Sequence, residues 1–141
     1  MIESVALAAR LEPLARSVLA PARVGVDAVH IPTWQRHAEL GGAALLHRVY
    51  TDAEIEFCAG RPERLCSRLA GKEAVLKALG TGIRGIGLAD VEILSEPTGR
   101  PTVVLHGPAR ERAAEIALER IELSLCHEGE FALAVAAGIG R

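Results

Sequence analysis

Asp27, Glu73, Lys72 and Lys77 are the residues of this chain whose types and settings suit chemistry on a phosphate. Lys72 and Lys77 are its only lysines, against fourteen arginines. An ammonium is a compact point charge with rotatable donors, whereas a guanidinium is a planar fork, so the two are not interchangeable. Both lysines lie in one run, Arg68-Leu-Ala-Gly-Lys72-Glu73-Ala-Val-Leu-Lys77-Ala-Leu-Gly80-Thr81-Gly82. Two ammonium groups beside a glutamate and a Gly-Thr-Gly turn suggest a site for phosphate and metal. Glu73 and Lys77 also read as an ordinary i,i+4 surface pair, worth about 0.2–0.5 kcal/mol. Asp27 interrupts Arg23–Ile31 (RVGVDAVHI), a stretch expected to be a strand buried on both faces. A carboxylate there needs an arginine or a metal. Taken with Glu73 it offers two hard oxygen donors, the protein share that Mg²⁺ typically takes before water and phosphate oxygens complete its shell.

The elements that must position these residues follow from periodicity and punctuation. Leu7, Leu11, Leu14 and Val18 recur at helical spacing, and Pro21 ends that segment. Residues 1–22 are therefore expected to form a helical extension ahead of a domain over 23–141. Pro32 stops the Asp27 strand, and Thr33 is a candidate cap for a short helix. Thr51-Asp-Ala-Glu54 is a capping box. Pro62 opens a longer helix that runs to Leu79 and closes on Gly80. On that helix Leu65, Leu69, Leu76 and Leu79 make an apolar stripe, with Lys72 projecting into its middle and Glu73 and Lys77 along its edge. A lysine so placed must snorkel out or meet an anion. Val91–Leu94 and Thr102–Leu105 flank the turn-forming Pro97-Thr-Gly99-Arg-Pro101 as a hairpin, and Pro108–Leu118 reads as a helix. Ile121–Cys126 and Phe131–Ala137 form a second hairpin with His127 in its turn. The fold class is α+β, a mainly antiparallel sheet packed on helices.

Composition narrows the function. The 141 residues carry a formal charge of −2, without the basic excess of a general nucleic-acid binder. Residues 61–84 hold six basic and two acidic side chains, a local balance of 6 − 2 = +4 that suits an anion or a solvated helix face. Cys58, Cys66 and Cys126 are odd in number and fit no zinc pattern, so they read as buried thiols in a reducing compartment. No apolar run approaches the roughly 20 residues of a membrane span. A cytoplasmic protein is expected.

Five segments then fall in a familiar order: Gly25-Val-Asp27, Arg48-Val-Tyr-Thr51-Asp-Ala-Glu54, the Arg68–Gly82 run, Gly99-Arg-Pro101 and Ser124-Leu-Cys-His127. In these the sequence resembles the small, AcpS-type 4′-phosphopantetheinyl transferases, the holo-acyl-carrier-protein synthases, over about residues 23 to 140. The resemblance implies transfer of the phosphopantetheine arm of coenzyme A to a serine of an apo acyl carrier protein, with release of 3′,5′-ADP. It implies Asp27 and Glu73 as Mg²⁺ ligands, and Lys77 as the cation that offsets charge on the leaving group. Arg48, Lys72, Gly80, Thr81, Pro101 and His127 would line the coenzyme A site. Such enzymes are generally homotrimers with sites shared between subunits. The general base for the serine is left open between a carboxylate and a metal-bound water.

The chain departs from that family at several places. His30 stands where a glutamate is usual, three residues after Asp27. Thr33 stands where the family's carrier-docking arginine falls, with Arg36 the nearest cation. Gly71 replaces an alanine, and Cys126 and Glu128 replace small hydroxyl residues. His30 and Thr33 support a rival reading, a non-catalytic paralogue that binds coenzyme A or a carrier. Retention of Asp27, Glu73, Lys72 and Lys77 speaks against it.

Overall fold

In the computed structural model, which describes residues 22–81 and 84–140, ten elements follow one another. They are β1 (Ala22–His30), α1 (Ile31–Val49), α2 (Asp52–Cys58), α3 (Pro62–Leu79), a 3₁₀ turn (Leu88–Asp90), β2 (Val91–Ser95), β3 (Pro101–Leu105), α4 (Gly107–Glu115), β4 (Leu118–Glu128) and β5 (Phe131–Gly140). β1, β5 and β4 form an antiparallel sheet in that order, and β2 pairs with β3 in a separate hairpin. This is the expected α+β architecture. The helix expected in the first twenty residues lies outside the described residues. Among them, no helix is long and apolar enough to cross a membrane.

α3 is the axis of the domain. Pro62 occupies its first turn and Gly80 closes it in the left-handed conformation (φ 75°), as the sequence predicts. The helix is not amphipathic, however. Twelve of its residues are buried, and beyond the first turn only Leu69, Glu73 and Lys77 retain surface. Spaced four apart, these three make a single line along the helix. The reason is small residues on the sheet side. A Cβ at Gly25 of β1 would lie 1.8 Å from the Ala74 carbonyl oxygen, so β1 and α3 approach backbone to backbone. A Cβ at Gly71 would fall 2.6 Å from the tip of Ile93, which uses the vacancy. Leu76 and Leu79, 2% and 0% exposed, each contribute about 1.5–3 kcal/mol of burial on the opposite side.

Several local expectations change. β1 is covered on one face only: Val24 and Val26 remain 66% and 57% exposed, whereas Gly25 and Asp27 face α3. β5 continues this outer apolar face with Leu133 and Val135, paired with Ala28 and Val26. Thr33 does not cap α1; His30 holds that position and Pro32 lies in the first turn. α1 is also longer than expected, because Gly42 (φ 59°) absorbs a kink that joins two helical stretches. The capping box at Thr51 and Glu54 forms as read. α4 ends at Glu115, short of Leu118, and His127 belongs to β4 opposite Ala132 rather than to the turn. Cys58 and Cys66 are buried, but Cys126 is exposed.

Candidate active site

The close contact of β1 with α3 brings Asp27 against the only surface line of the helix. Lys77 Nζ donates to Asp27 Oδ1 at 3.0 Å and to the Val26 carbonyl at 2.8 Å. The Asp27 carboxylate is 14% exposed and the Lys77 side chain 54%, so the pair sits at the rim of the core and opens to solvent on the lysine side. Glu73 stands one turn before Lys77. Burial, followed by a hydrogen bond to Asp27 and its charge, pushes the Glu73 carboxyl up to about 7, with Lys77 pulling the other way. Two carboxylates thus compete for one proton beside a single ammonium. That is the electrostatic setting in which a divalent cation is favoured over a proton, and both donors are hard oxygens suited to Mg²⁺. Among the described residues no cluster of three or more His, Cys, Asp or Glu gathers there. Asp27 and Glu73 are the carboxylates that would hold such an ion.

Lys72 takes a different role from the coenzyme A contact expected of it. Its side chain has no exposed surface. Nζ donates to Glu54 Oε1 at 2.6 Å, to the Val91 carbonyl at 2.6 Å and to the Leu88 carbonyl at 3.1 Å. An ammonium has three hydrogens, and all three are engaged inside the protein. Glu54, also without exposed surface, receives further bonds from the amides of Thr51 and Ile93. Burial pulls the Lys72 amine down and Glu54 pushes it back up. The capping box is therefore also the counter-ion of the core lysine. Its sequence signal was local and concealed this second use.

Other expected contacts gather at the opposite end of α3. Pro101 and His127 line a cavity of about 250 Å³ together with Gly99, Arg68, Ser95, Arg64, Glu63 and Phe57. Arg68 went unnoticed in the sequence as more than a motif residue. It is 6% exposed, stacks on Phe57 at 4.3 Å and donates from Nη2 to Ser95 Oγ at 2.8 Å. Its Nε has no partner, and no carboxylate pairs with it among the described residues. A buried cation with an unfilled donor in a cavity wall suits an anion. The only sequence hint was the local excess of +4. Gly80 and Thr81 lie at the C-terminal end of α3, 12 residues beyond Arg68 at the nearest, or about 18 Å along the helix. Thr81 Oγ1 is buried without a partner among the described residues. Arg48 is exposed near the end of α1.

A three-stranded antiparallel sheet wrapped on one buried helix, with an acid pair and a lysine where strand and helix touch, defines a class. Residues 23–136 match the model of the 4′-phosphopantetheinyl transferase superfamily, and the chain belongs to that family. The holo-[acyl-carrier-protein] synthase of Geotalea daltonii is 43% identical over 115 residues, covering 79% of this chain and 92% of the relative. That of Gloeobacter violaceus is 40% identical over 122 residues, covering 84% and 92%. The crystal structure of Helicobacter pylori holo-[acyl-carrier-protein] synthase in complex with coenzyme A is similar with a TM-score of 0.75 at 26% identity, covering 82% of this chain and 98% of that one.

Proposed function

We propose that this chain is a holo-acyl-carrier-protein synthase, which moves 4′-phosphopantetheine from coenzyme A to a serine of an apo acyl carrier protein and releases 3′,5′-ADP. The observation that carries this reading is the meeting of Asp27, Glu73 and Lys77 at the β1–α3 contact, in a chain whose relatives are named for that reaction. The serine hydroxyl gives its proton to a general base, its oxygen forms a bond to the phosphorus nearer the pantetheine, and the diphosphate bridge breaks with its electron pair leaving on 3′,5′-ADP. Negative charge grows on the departing phosphate. Lys77 has two of its three hydrogens on Asp27 and Val26, which leaves one for a phosphate oxygen. Asp27 holds that amine in place. Asp27 and ionised Glu73 would hold Mg²⁺, which supplies Lewis-acid polarisation of the diphosphate when bound. Arg68, buried with its Nε unfilled, is suited to a second phosphate of coenzyme A, with Pro101 and His127 beside it.

The active form is a homotrimer in this reading. Support comes from the outer face of the sheet, where Val24, Val26, Phe131, Leu133 and Val135 stay between 37% and 66% exposed. Contiguous apolar surface of this kind marks an interface in a protein that is otherwise well packed. Unpaired buried thiols at Cys58 and Cys66 fit a reducing, cytoplasmic setting.

Intact-mass spectrometry tests the reaction. An apo acyl carrier protein incubated with this protein, coenzyme A and Mg²⁺ should gain about 340 Da, the mass of the transferred arm, and should not gain it with EDTA. Absence of the gain over several carriers, with coenzyme A still bound in calorimetry, would favour the non-catalytic binding protein instead.

A further inference from the structure

The flank where β3, α4 and β4 meet is apolar and only half buried. Val103, Leu105, Leu118 and Ile121 pack on the core with one side and keep surface on the other. With buried Ala113 they line a cavity of about 140 Å³, whose wall is completed by Glu119 and Arg120. A void of about 150 Å³ takes a benzene-sized apolar group, so this one suits an aliphatic side chain. A wider cavity of about 680 Å³ over Ala114 and Ala117 shares Leu118 and Glu119 with it. The two make one groove along α4 and the start of β4.

The described chain begins beside this groove. Ala22, Ile139 and Arg120 stand in one row across the sheet, two strand spacings or about 10 Å from end to end. Leu118, opposite Gly140, leans over β5. Its Cδ1 and the Arg23 Cβ lie 2.8 and 3.4 Å from the point that a Gly138 Cβ would occupy. The groove wall therefore reaches the first residues of β1. Val18 precedes Ala22 by four residues, so it lies within about 14 Å of it in any conformation, and Leu14 precedes Val18 by four more. The family match starts only at residue 23, so the groove and the segment that can reach it are not paired by that likeness.

We propose that residues 1–20 of the same chain are the occupant of this groove, with Val18 and Leu14 seated against Leu118 and Ile121, and that the seated segment braces α4 against the end of α3. α4 is already tied to that end: Arg112, beside Ala113, donates from Nε to the Leu79 carbonyl at 3.1 Å, two residues beyond Lys77. Its Nη2 lies 3.8 Å from the point a Gly80 Cβ would occupy. Apolar contact along α4 thus holds the guanidinium that fixes the last carbonyl of the lysine helix. The seating is independent of the transferase reading; only its effect on turnover rests on that reading.

Hydrogen exchange of the full chain, read by mass spectrometry, tests the brace. Val18→Asp would bring a carboxylate to an apolar groove and unseat the segment. Amides of α4 should then exchange about tenfold faster or more. Those of α2, which packs in a separate apolar cluster, should keep wild-type rates and show that the fold persists. Leu118→Ala should in turn speed exchange over residues 11–20. A Ser17→Cys/Glu119→Cys/Cys126→Ser chain treated with a short bismaleimide should give a cross-linked product of single-chain mass. A two-chain product, which would make a second copy the occupant, overturns the proposal, as do unchanged α4 rates in Val18→Asp. In the transfer assay Val18→Asp should raise the KM for coenzyme A several-fold, and an unchanged KM overturns the link to α3. Faster α4 exchange in Val18→Asp, with no mass gain on any carrier by the wild-type protein, would keep the brace and overturn the transferase reading alone.

Discussion

Replacing Lys72 by methionine tests whether that lysine is a core strut or a coenzyme A ligand. Methionine keeps much of the stem's volume but leaves Glu54 as a buried carboxylate, with only the Thr51 and Ile93 amides to hold it. The carbonyls of Leu88 and Val91 lose their side-chain donor at the same time. Removing one partner of a buried pair typically costs about 3–5 kcal/mol, because the other charge stays behind. With a urea m-value near 2 kcal/mol/M, the unfolding midpoint should fall by roughly 2 M. The double variant Lys72→Met/Glu54→Gln removes the stranded charge and should recover part of that loss, giving a coupling of about 0.5–3 kcal/mol in a double-mutant cycle. Both proteins are to be compared at one chain concentration, since assembly shifts apparent stability. At a temperature where Lys72→Met remains folded, its KM for coenzyme A should stay within about twofold of wild type. A midpoint loss equivalent to less than about 1 kcal/mol, together with a large rise in KM, would refute the strut and restore the ligand role.

Glu73→Gln and Asp27→Asn should each abolish Mg²⁺-dependent transfer while circular dichroism stays native; equal transfer rates would sink the metal assignment. Mg²⁺ affinity should weaken by up to about tenfold per unit as pH falls below about 7, because Glu73 must lose its proton to become a ligand. The same raised carboxyl makes the metal-free protein lose stability as pH rises from the ordinary glutamate range through about 7, since the folded state binds the proton more tightly than the unfolded one. Unfolding midpoints across that range should show the decline in wild type and not in Glu73→Gln. Gly25→Ala should destabilise the fold and cut transfer together, because its Cβ meets the Ala74 carbonyl at 1.8 Å and must push Asp27 away from α3; wild-type stability would show that the contact relaxes freely. Lys77→Arg should transfer poorly, the wider fork being unable to bond Asp27 and Val26 and still present a donor as the ammonium does; full activity would show that charge alone suffices.

What could be read from the sequence was local. The proline and glycine that bound α3, the Thr51–Glu54 box and the β2–β3 hairpin are decided by neighbours a few residues apart, and each stands where its chemistry puts it. The partners of Glu54 are not local: Lys72 lies 18 residues on and Ile93 39. A capping box looks the same whether its glutamate then faces solvent or a buried amine. β1 misled for the opposite reason. Its outer valines follow the pattern of a fully buried strand, but they remain exposed while their inner neighbours face α3. On the homotrimer proposed above, a second copy would complete that burial. The short helix expected after Pro32 instead runs to Val49, because Gly42 takes up a bend that joins two helical stretches.

The two lysines show why residue type alone could not assign the site. Both lie on the same helix five residues apart, and both end within bonding distance of a carboxylate. Burial divides them. Lys72 meets its carboxylate with neither partner exposed, so its charge is cancelled and all its donors are consumed. Lys77 meets Asp27 beside a second acid, Glu73, whose carboxyl is pushed up to about 7 by burial first and then by the hydrogen bond and charge of Asp27. A site left short of one positive charge near neutral pH is ready for a cation; a site already balanced is not. On the proposed reading a divalent ion would turn that deficit into a net positive charge of one, the sign a diphosphate needs. On that reading the acid pair and its unsatisfied balance, rather than the number of lysines, mark this end of α3 as the proposed place of transfer.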